Sequence, residues 1–412
     1  MVTSTGSLVL IDKVTYETYD WAPRAPEIHS RAEVERQTGP YDAAVTPRIA
    51  TWSPVISGED SADIEDATRR LVEFDHHAQR KLGTGNPALG PMTAILLRTE
   101  SASSSQIEQL TTSAKQLALA EIGEGDKANA LTVVGNVRAM EAALQLADDI
   151  SEESILAMHT ALMLHQSGFP PEHAGRFRAE QVWIGRGEAG PRLADFVAPH
   201  HDRVPGAIRD LVRFVKRQDM PVLVQVAVAH AQFETIHPFP DGNGRTGRAL
   251  AQSILRSKGL VGSTAVPISA GLLVDVPRYF DALGSFRDGD AGPIIRDFAG
   301  ASRIAATTGT RLVDALVEQL EKSRTKMAGI RADAAAWKVL PALVGQPAVN
   351  AKYLKNVLGL SEMAALRALD VLAEREVLTE TTGKSRGRVW QHRGIFDALD
   401  AYASEIRRMS VR

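Results

Sequence analysis

The sequence predicts a mostly α-helical protein with a short β-hairpin and a C-terminal winged helix-turn-helix unit. Three observations predict it. Long apolar, Ala-rich stretches keep helical spacing, as in PVLVQVAVAHAQFETI at 221–236, which has no Gly and no Pro after its first residue. Residues 174–199 change to β character around VWIG and a Gly-rich turn, the signal of a short hairpin. Near the C-terminus, NAKYLKNVLG and SEMAALRALDVLAERE read as two capped helices, followed by strand, basic turn and strand in VLTETTGKSRGRVWQH.

Bulk properties narrow the function classes. The chain has 412 residues, 24% charged and 44% hydrophobic, with a net charge of −3. That is ordinary globular composition with room for two or three domains, and it carries no global sign of a nucleic-acid or membrane protein. There is no cysteine, which excludes disulfides, thiol catalysis and thiolate metal sites. The first residues lack a basic lead, and no apolar run is long enough for a bilayer, so a cytoplasmic protein without membrane contact is expected.

In chain order, residues 1–57 are Pro- and Thr-rich with short β-like pieces and read as a partly extended arm. Ile64, Ala67, Leu71 and Phe74 recur at helical spacing after Ser61. A loop is expected near Gly83–Pro91, then a helix over PMTAILLRTESASSSQIEQL. Residues 125–163 carry two helical blocks, the second opened by Ser151, with His159 as a structural histidine on it. The pairs His76-His77 and His200-His201 are expected to point apart, and no metal-spaced cluster is evident. Helix continues to about Leu320, and EKSRTKMAGIRADA reads as a polar connector.

The richest stretch is HPFPDGNGRTGR, His237 to Arg248. Pro238 and Pro240 stop the preceding helix. Gly242 and Gly244 allow close backbone approach, and a helix restarts near Gly244 and ends near Gly259. A helix N-terminus facing a tight loop is an anion site. Arg245 and Arg248, three apart, share a face and suit neighbouring phosphates. Asp241 offers an oxygen for Mg²⁺ beside them, and His237 offers a neutral imidazole as base. The string also matches G-x-G-x-x-G, but a helix and two prolines precede it where a dinucleotide fold needs a strand. A purely structural turn has no use for His, Asp, Asn and two Arg together.

These twelve residues resemble the Fic family signature, H-P-F-x-[DE]-G-N-G-R-x-x-R, with every fixed position met. The resemblance covers about residues 60–305 and implies a Fic helical core with a β-hairpin flap. It implies that His237 deprotonates a target hydroxyl, Phe239 anchors the loop and Asp241 binds Mg²⁺. Gly242, Asn243 and Gly244 would form the anion hole, with Arg245 and Arg248 on the β- and γ-phosphates of ATP. The usual family reaction moves AMP from ATP to a protein Ser, Thr or Tyr hydroxyl. A phosphate-transferring branch has Lys where Gly244 stands.

Upstream, Ser104 and Glu108 fit the family's inhibitory helix, [ST]-x-x-x-E-[GN], although Gln109 replaces the final Gly or Asn. There, Glu108 would pair with Arg248 and take the place of the γ-phosphate. The hairpin resembles the family flap, on which an extended target segment would dock near Trp183. Tyr279, Phe280 and Leu283 fit the adenine pocket, while Arg287 stands where a small amide is common.

The resulting division is 1–120, a helical segment with the inhibitory helix; 121–310, the catalytic core; 311–332, a connector; and 333–412, the winged helix. The stretch 331–412 holds 13 Lys and Arg against 9 Asp and Glu, with Lys384, Arg386 and Arg388 in the wing. DNA or a protein could face it, and a homodimer is compatible with the sequence. The expectation is an ATP- and Mg²⁺-dependent protein adenylyltransferase restrained by Glu108. The alternatives are a DNA-binding regulator that senses nucleotide, and removal of AMP by the same site.

Overall fold

The computed structural model describes residues 8–82, 88–164, 166–187, 189–262, 264–381, 383 and 387–410. The N-terminal elements are β1 (Thr15–Trp21), α1 (Arg31–Gln37) and β2 (Gly39–Val45), followed by α2 (Gly58–Leu82), α3 (Leu89–Ile107) and α4 (Ala114–Glu121). The central elements are α5 (Ala128–Gln145), α6 (Glu152–Met163), β3 (Trp183–Ile184), β4 (Phe196–Val197), α7 (Val204–Lys216), α8 (Val222–Ile236) and α9 (Asn243–Ser257). Then come α10 (Ile268–Leu272), α11 (Val276–Arg287) and α12 (Gly292–Lys326). The last elements are α13 (Ala336–Gly345), β5 (Ala348–Val349), α14 (Ala351–Leu358), α15 (Glu362–Glu374), β6 (Thr379–Glu380), β7 (Trp390–Gln391) and α16 (Arg393–Ser410).

The architecture is mostly helical, and α8 is its axis. Residues Leu223 to Ile236 are all buried, as expected of a helix that is apolar on every side. Helices α2, α7, α9, α11 and α12 pack around it. Ile64, Ala67, Leu71 and Phe74 are all buried, so the spacing read from sequence is the core face of α2. That helix starts earlier than expected, at Gly58, with the Ser57 hydroxyl accepting from the Asp60 N–H. Ser151 caps α6 in a reciprocal capping box with Ser154.

Two expectations are corrected. The first 57 residues are not merely an extended arm. β1 and β2 pair antiparallel over Thr15↔Val45 to Trp21↔Gly39, with α1 between them. The alternating side chains Tyr19 and Trp21 join Tyr41 and Ala43 against Val197 and Trp183 of the hairpin. Nor do His200 and His201 diverge: their rings lie 4.0 Å apart beside Asp202, and His200 stacks on Tyr19. His200, His201 and Asp202 cluster their ligand atoms within 4.8 Å of one another.

The connector and the C-terminal region are continuous with the rest. Most of the stretch expected to link two units, 311–332, is the second half of α12, which ends at Lys326 and whose apolar face runs from Ile294 to Leu320. The C-terminal elements follow the order helix, strand, helix, helix, strand, strand, helix, with an antiparallel sheet ordered β5-β7-β6. Asn350 and Ser361 cap α14 and α15, and Gly359 ends α14 in the left-handed conformation, as their sequence positions suggested. Helix α13 packs on α3 and α12, and one hydrophobic cluster runs from Val9 through α8 to Trp390 and Ile406. Lys384 and Arg386 lie outside the described residues; Arg388 pairs with Glu380 at 2.7 Å and stacks over Trp390. Among the described residues, no helix is long and apolar enough to cross a membrane.

Candidate active site

The loop between α8 and α9 is fixed from below. Helix α8 ends at His237, which takes a left-handed φ of 49°, an uncommon conformation for a residue with a Cβ. Arg178 holds it there. Its Nε donates to the His237 carbonyl at 2.8 Å, its Nη1 to the Glu180 carbonyl at 2.9 Å, and its backbone N–H to the Pro238 carbonyl at 3.0 Å. Phe239 is fully buried and stacks on His159 with ring centroids 3.7 Å apart. Because His159 Nδ1 accepts from the Gly175 N–H, its Nε2 carries the proton and donates to the Asp241 carbonyl at 3.1 Å. Burial pushes His159 down to about 4, so the ring stays neutral.

The asparagine of the motif is structural in its side chain. Asn243 accepts from the Phe239 N–H at 2.8 Å and donates to the Phe239 carbonyl at 2.9 Å, closing the loop upon itself. What Asn243 can offer an anion is its backbone N–H, not its amide. Gly242 has φ 75°, and a Cβ there would press on Leu162 and Met163. A Cβ on Gly244 would collide with Glu108 Oε1 and stand 3.0 Å from Arg248 Nη1. The start of α9, where helix geometry leaves N–H groups without partners, is therefore open to a flat or small group only.

Glu108 occupies that position. Its Oε1 lies 2.6 Å from Arg248 Nη2 and its Oε2 3.3 Å from Arg245 Nε. Ser104 completes the contact: its hydroxyl accepts from Arg248 Nε at 2.8 Å and its carbonyl from Nη2 at 2.9 Å. Burial opposes the charge on Arg248, yet Glu108 beside it, with Tyr279 and Glu234, raises its pKa above the ordinary arginine value. Arg245 is buried; its Nε faces Glu108, and its Nη1 makes no hydrogen bond. A buried donor without an acceptor is costly, so Nη1 suits an incoming anion.

At the other lip, His237 is half-buried with Nδ1 3.4 Å from the Glu234 carbonyl. Burial, with Arg178 and Arg287 nearby, pushes its imidazole down to about 4. Its neutral form can accept a proton. Asp241 has a half-exposed carboxylate. Its Oδ1 accepts from the Gly242 N–H at 2.6 Å, and Oδ2 accepts from the Gln166 amide.

Residues near these sit differently from one another. Tyr279 and Leu283 are buried, whereas Phe280 is exposed. Tyr279 Oη and His230 Nε2 share a 2.7 Å hydrogen bond. The hairpin exists where expected, with Trp183↔Val197 and Ile184↔Phe196 paired. Arg287 lies 3.8 Å over the Phe196 ring and so ties α11 to the hairpin.

Residues 149–255 match the Fic/DOC family. The chain carries a Fic domain. The matched region holds the whole loop from His237 to Arg248 and both hairpin strands. Protein adenylyltransferase fic-1 of Caenorhabditis elegans is 28% identical over 152 residues, 36% of this chain and 26% of that protein. A probable protein adenylyltransferase of Aquifex aeolicus (strain VF5) is 42% identical over 69 residues, 16% of this chain and 22% of that protein. The chain thus spans well under half the length of these curated relatives. A crystal structure of a Fic family protein from Desulfovibrio desulfuricans G20 is 26% identical with a TM-score of 0.49, covering 82% of this chain and 97% of that one.

Three contributors to the Fic site carry no clear mark in the sequence. Arg178 lies 59 residues before His237 and touches only carbonyl oxygens. His230 and Glu234 lie one turn apart on α8, where Gln225, Gln232 and Thr235 are also polar and buried, so nothing local singles them out. Burial, followed by Arg248 nearby, pushes His230 down to about 3; burial raises Glu234 to about 7.

Proposed function

We propose that the chain is a protein adenylyltransferase that transfers AMP from ATP to a Ser, Thr or Tyr hydroxyl and is restrained by Glu108. The observation that carries this reading is the Glu108 carboxylate lying across Arg245 and Arg248, an acid in an anion position at a helix N-terminus. The unpartnered Nη1 of Arg245 and the absence of room for a side chain at Gly244 fit a triphosphate. The similarity to named adenylyltransferases supports the choice of nucleotidyl over phosphate transfer.

In this reading the first N–H groups of α9, around Gly242, Asn243 and Gly244, hold the phosphate nearest the hydroxyl. Arg245 and Arg248 hold the rest of the chain. The target oxygen attacks the α-phosphorus, the bond from that phosphorus to the bridging oxygen breaks, and pyrophosphate leaves. The hydroxyl proton passes to the neutral imidazole of His237. Asp241 would hold Mg²⁺, which when bound screens the charge of the phosphates. The target segment would add to the hairpin edge near Trp183 and Ile184, of which Ile184 is exposed. Tyr279 and Leu283 would back the adenine end from the core, with exposed Phe280 nearest to solvent.

With Glu108 on Arg248 the γ-phosphate loses that guanidinium, so ATP would bind weakly or in a turned pose. The test uses ATP labelled at the α- or the γ-phosphate. Glu108→Gly is expected to retain the α-label covalently and not the γ-label, and Glu108→Gly/His237→Ala to retain neither. Equal labelling by both nucleotides, or label that survives loss of His237, would defeat the assignment.

We read the C-terminal unit as a winged helix whose first helix, α13, faces inward on α3. Arg388 is paired with Glu380, which weakens its use on DNA phosphate. A gel shift of the full chain with duplex DNA at physiological salt is expected to show only weak, salt-sensitive binding.

A further inference from the structure

A second cavity lies behind the helix that carries Glu108. Its volume is about 310 Å³, within the range of small-molecule pockets. One wall is α3, through Arg98, Ala102, Ser103 and Gln106. The facing wall is α16, through Leu399, Tyr402 and Ile406. Thr112 and Ser113, just after Glu108, also line it. The wall residues therefore bracket Glu108 in sequence, from Gln106 on one side to Thr112 on the other.

The lining is mixed: Leu117, Leu273, Leu399 and Ile406 give it apolar walls, and among its polar side chains Arg98, Thr112 and Tyr402 hold atoms without a partner. Tyr402 is buried, and its hydroxyl, near Thr308, lacks a well-aligned hydrogen bond. Arg98 is mostly buried and pairs with Glu121 through Nη2, while its Nε and Nη1 have no acceptor. Thr112 Oγ1 is buried and unpaired. Arg407 adds a second guanidinium at the wall and Asp400 one carboxylate. Unpaired guanidinium nitrogens beside partly apolar walls suit a molecule with an apolar body and one anionic head.

We propose that this cavity is a regulatory site for a small amphipathic carboxylate, with Arg98 and Tyr402 as its anchors. Its effect follows from linkage. The chamber exists in the geometry in which Glu108 grips Arg248, so a molecule that fills it stabilises that geometry. An occupant also packs the last turns of α3 against α16. Binding therefore deepens the restraint on the Fic site. The regulatory half rests on the adenylyltransferase reading; the binding half does not.

The experiment uses the full chain with decanoate as the probe and decanol as its uncharged match. Calorimetry is expected to show one saturable decanoate site, with decanol at least tenfold weaker. Arg98→Met is expected to remove most of that difference. Ala403→Phe, which fills the chamber from the α16 side, is expected to abolish binding of both. Decanoate at saturation is expected to lower self-labelling of the wild type several-fold and to leave Glu108→Gly unchanged. Absence of saturable binding, or binding that survives Ala403→Phe, would overturn the site. Binding with equal labelling in the wild type would overturn the regulation. If Glu108→Gly takes no label at all, the transferase reading falls while the calorimetric result still decides the site.

Discussion

His237 combines two tensions that the surrounding residues resolve. Its φ of 49° would relax if Arg178 released its carbonyl, and its imidazole is kept neutral by burial. Arg178→Met would leave carbonyls of His237, Glu180 and Pro199 short of a donor, so it is expected to cost about 3 kcal/mol in urea unfolding. The neutral imidazole predicts a pH effect of definite sign. A base whose pKa is lowered to about 4 stays unprotonated well below the ordinary 6.5. The kcat/KM of Glu108→Gly should thus be flat from neutral pH down to about 5, with its acid limb below that; an inflection near 6.5 would show a solvated ring. The motif itself was legible because it is local: twelve adjacent residues hold the base, the carboxylate and both arginines. Arg178 and the His230–Tyr279 pair were not, because each meets its partners only after the chain has folded, 59 and 49 residues away.

At the scale of elements, the way α3 ends sets Glu108 against Arg245 and Arg248. Glu108 is the C-cap, Gln109 follows at φ 63°, and the N–H groups of Gln109 and Leu110 donate to the carbonyls of Gln106 and Ser105. This is the paired closure of a Schellman turn, whose left-handed position favours glycine or asparagine. It explains in physical terms why a family pattern has Gly or Asn there and why Gln109 fits with strain. Gln109→Gly is expected to stabilise the protein by about 0.5–1 kcal/mol in urea unfolding and to lower self-labelling further. Destabilisation would mean that the turn geometry is wrong. The helix is steadied from behind by Asn136, which donates to the Ser101 carbonyl and the Ser105 hydroxyl. Ser104→Ala, which removes one acceptor from Arg248 but leaves Glu108, should raise labelling less than Glu108→Gly does. Three helix starts were readable from their caps, Ser151, Asn350 and Ser361, whereas the Ser caps of α1, α2 and α4 were not. The pairing of β1 with β2 was not, since nothing local in residues 1–57 announces a partner strand.

Across the whole molecule, the C-terminal unit and the Fic core share their interior. α13 packs on α3 and α16 on α12, so the sequence boundary near 332 is a change of pattern and not a break in packing. Unfolding should then follow one transition, with the fluorescence of Trp337 and Trp390 changing together with helical signal. Buried titratable groups set its pH range. His159, His230 and His392 are lowered to about 4, 3 and 4, chiefly by burial, so they give stability at and above 6.5 that is lost as pH falls toward 4. Glu100 and Glu234, raised to about 7 by burial, act oppositely and lose their contribution as pH rises from 4.5 to 7. The two sets oppose between 4.5 and 6.5, and below 4.5 only the histidines still titrate. Tm should change little between pH 5 and 6.5 and fall steeply below 4.5. The account stands or falls on Glu108 as the group that keeps phosphate from Arg245 and Arg248. The most direct measurement is the initial rate of α-label incorporation from ATP by wild type and Glu108→Gly at equal concentration. A rate at least tenfold higher for the variant is predicted; equal rates would contradict it.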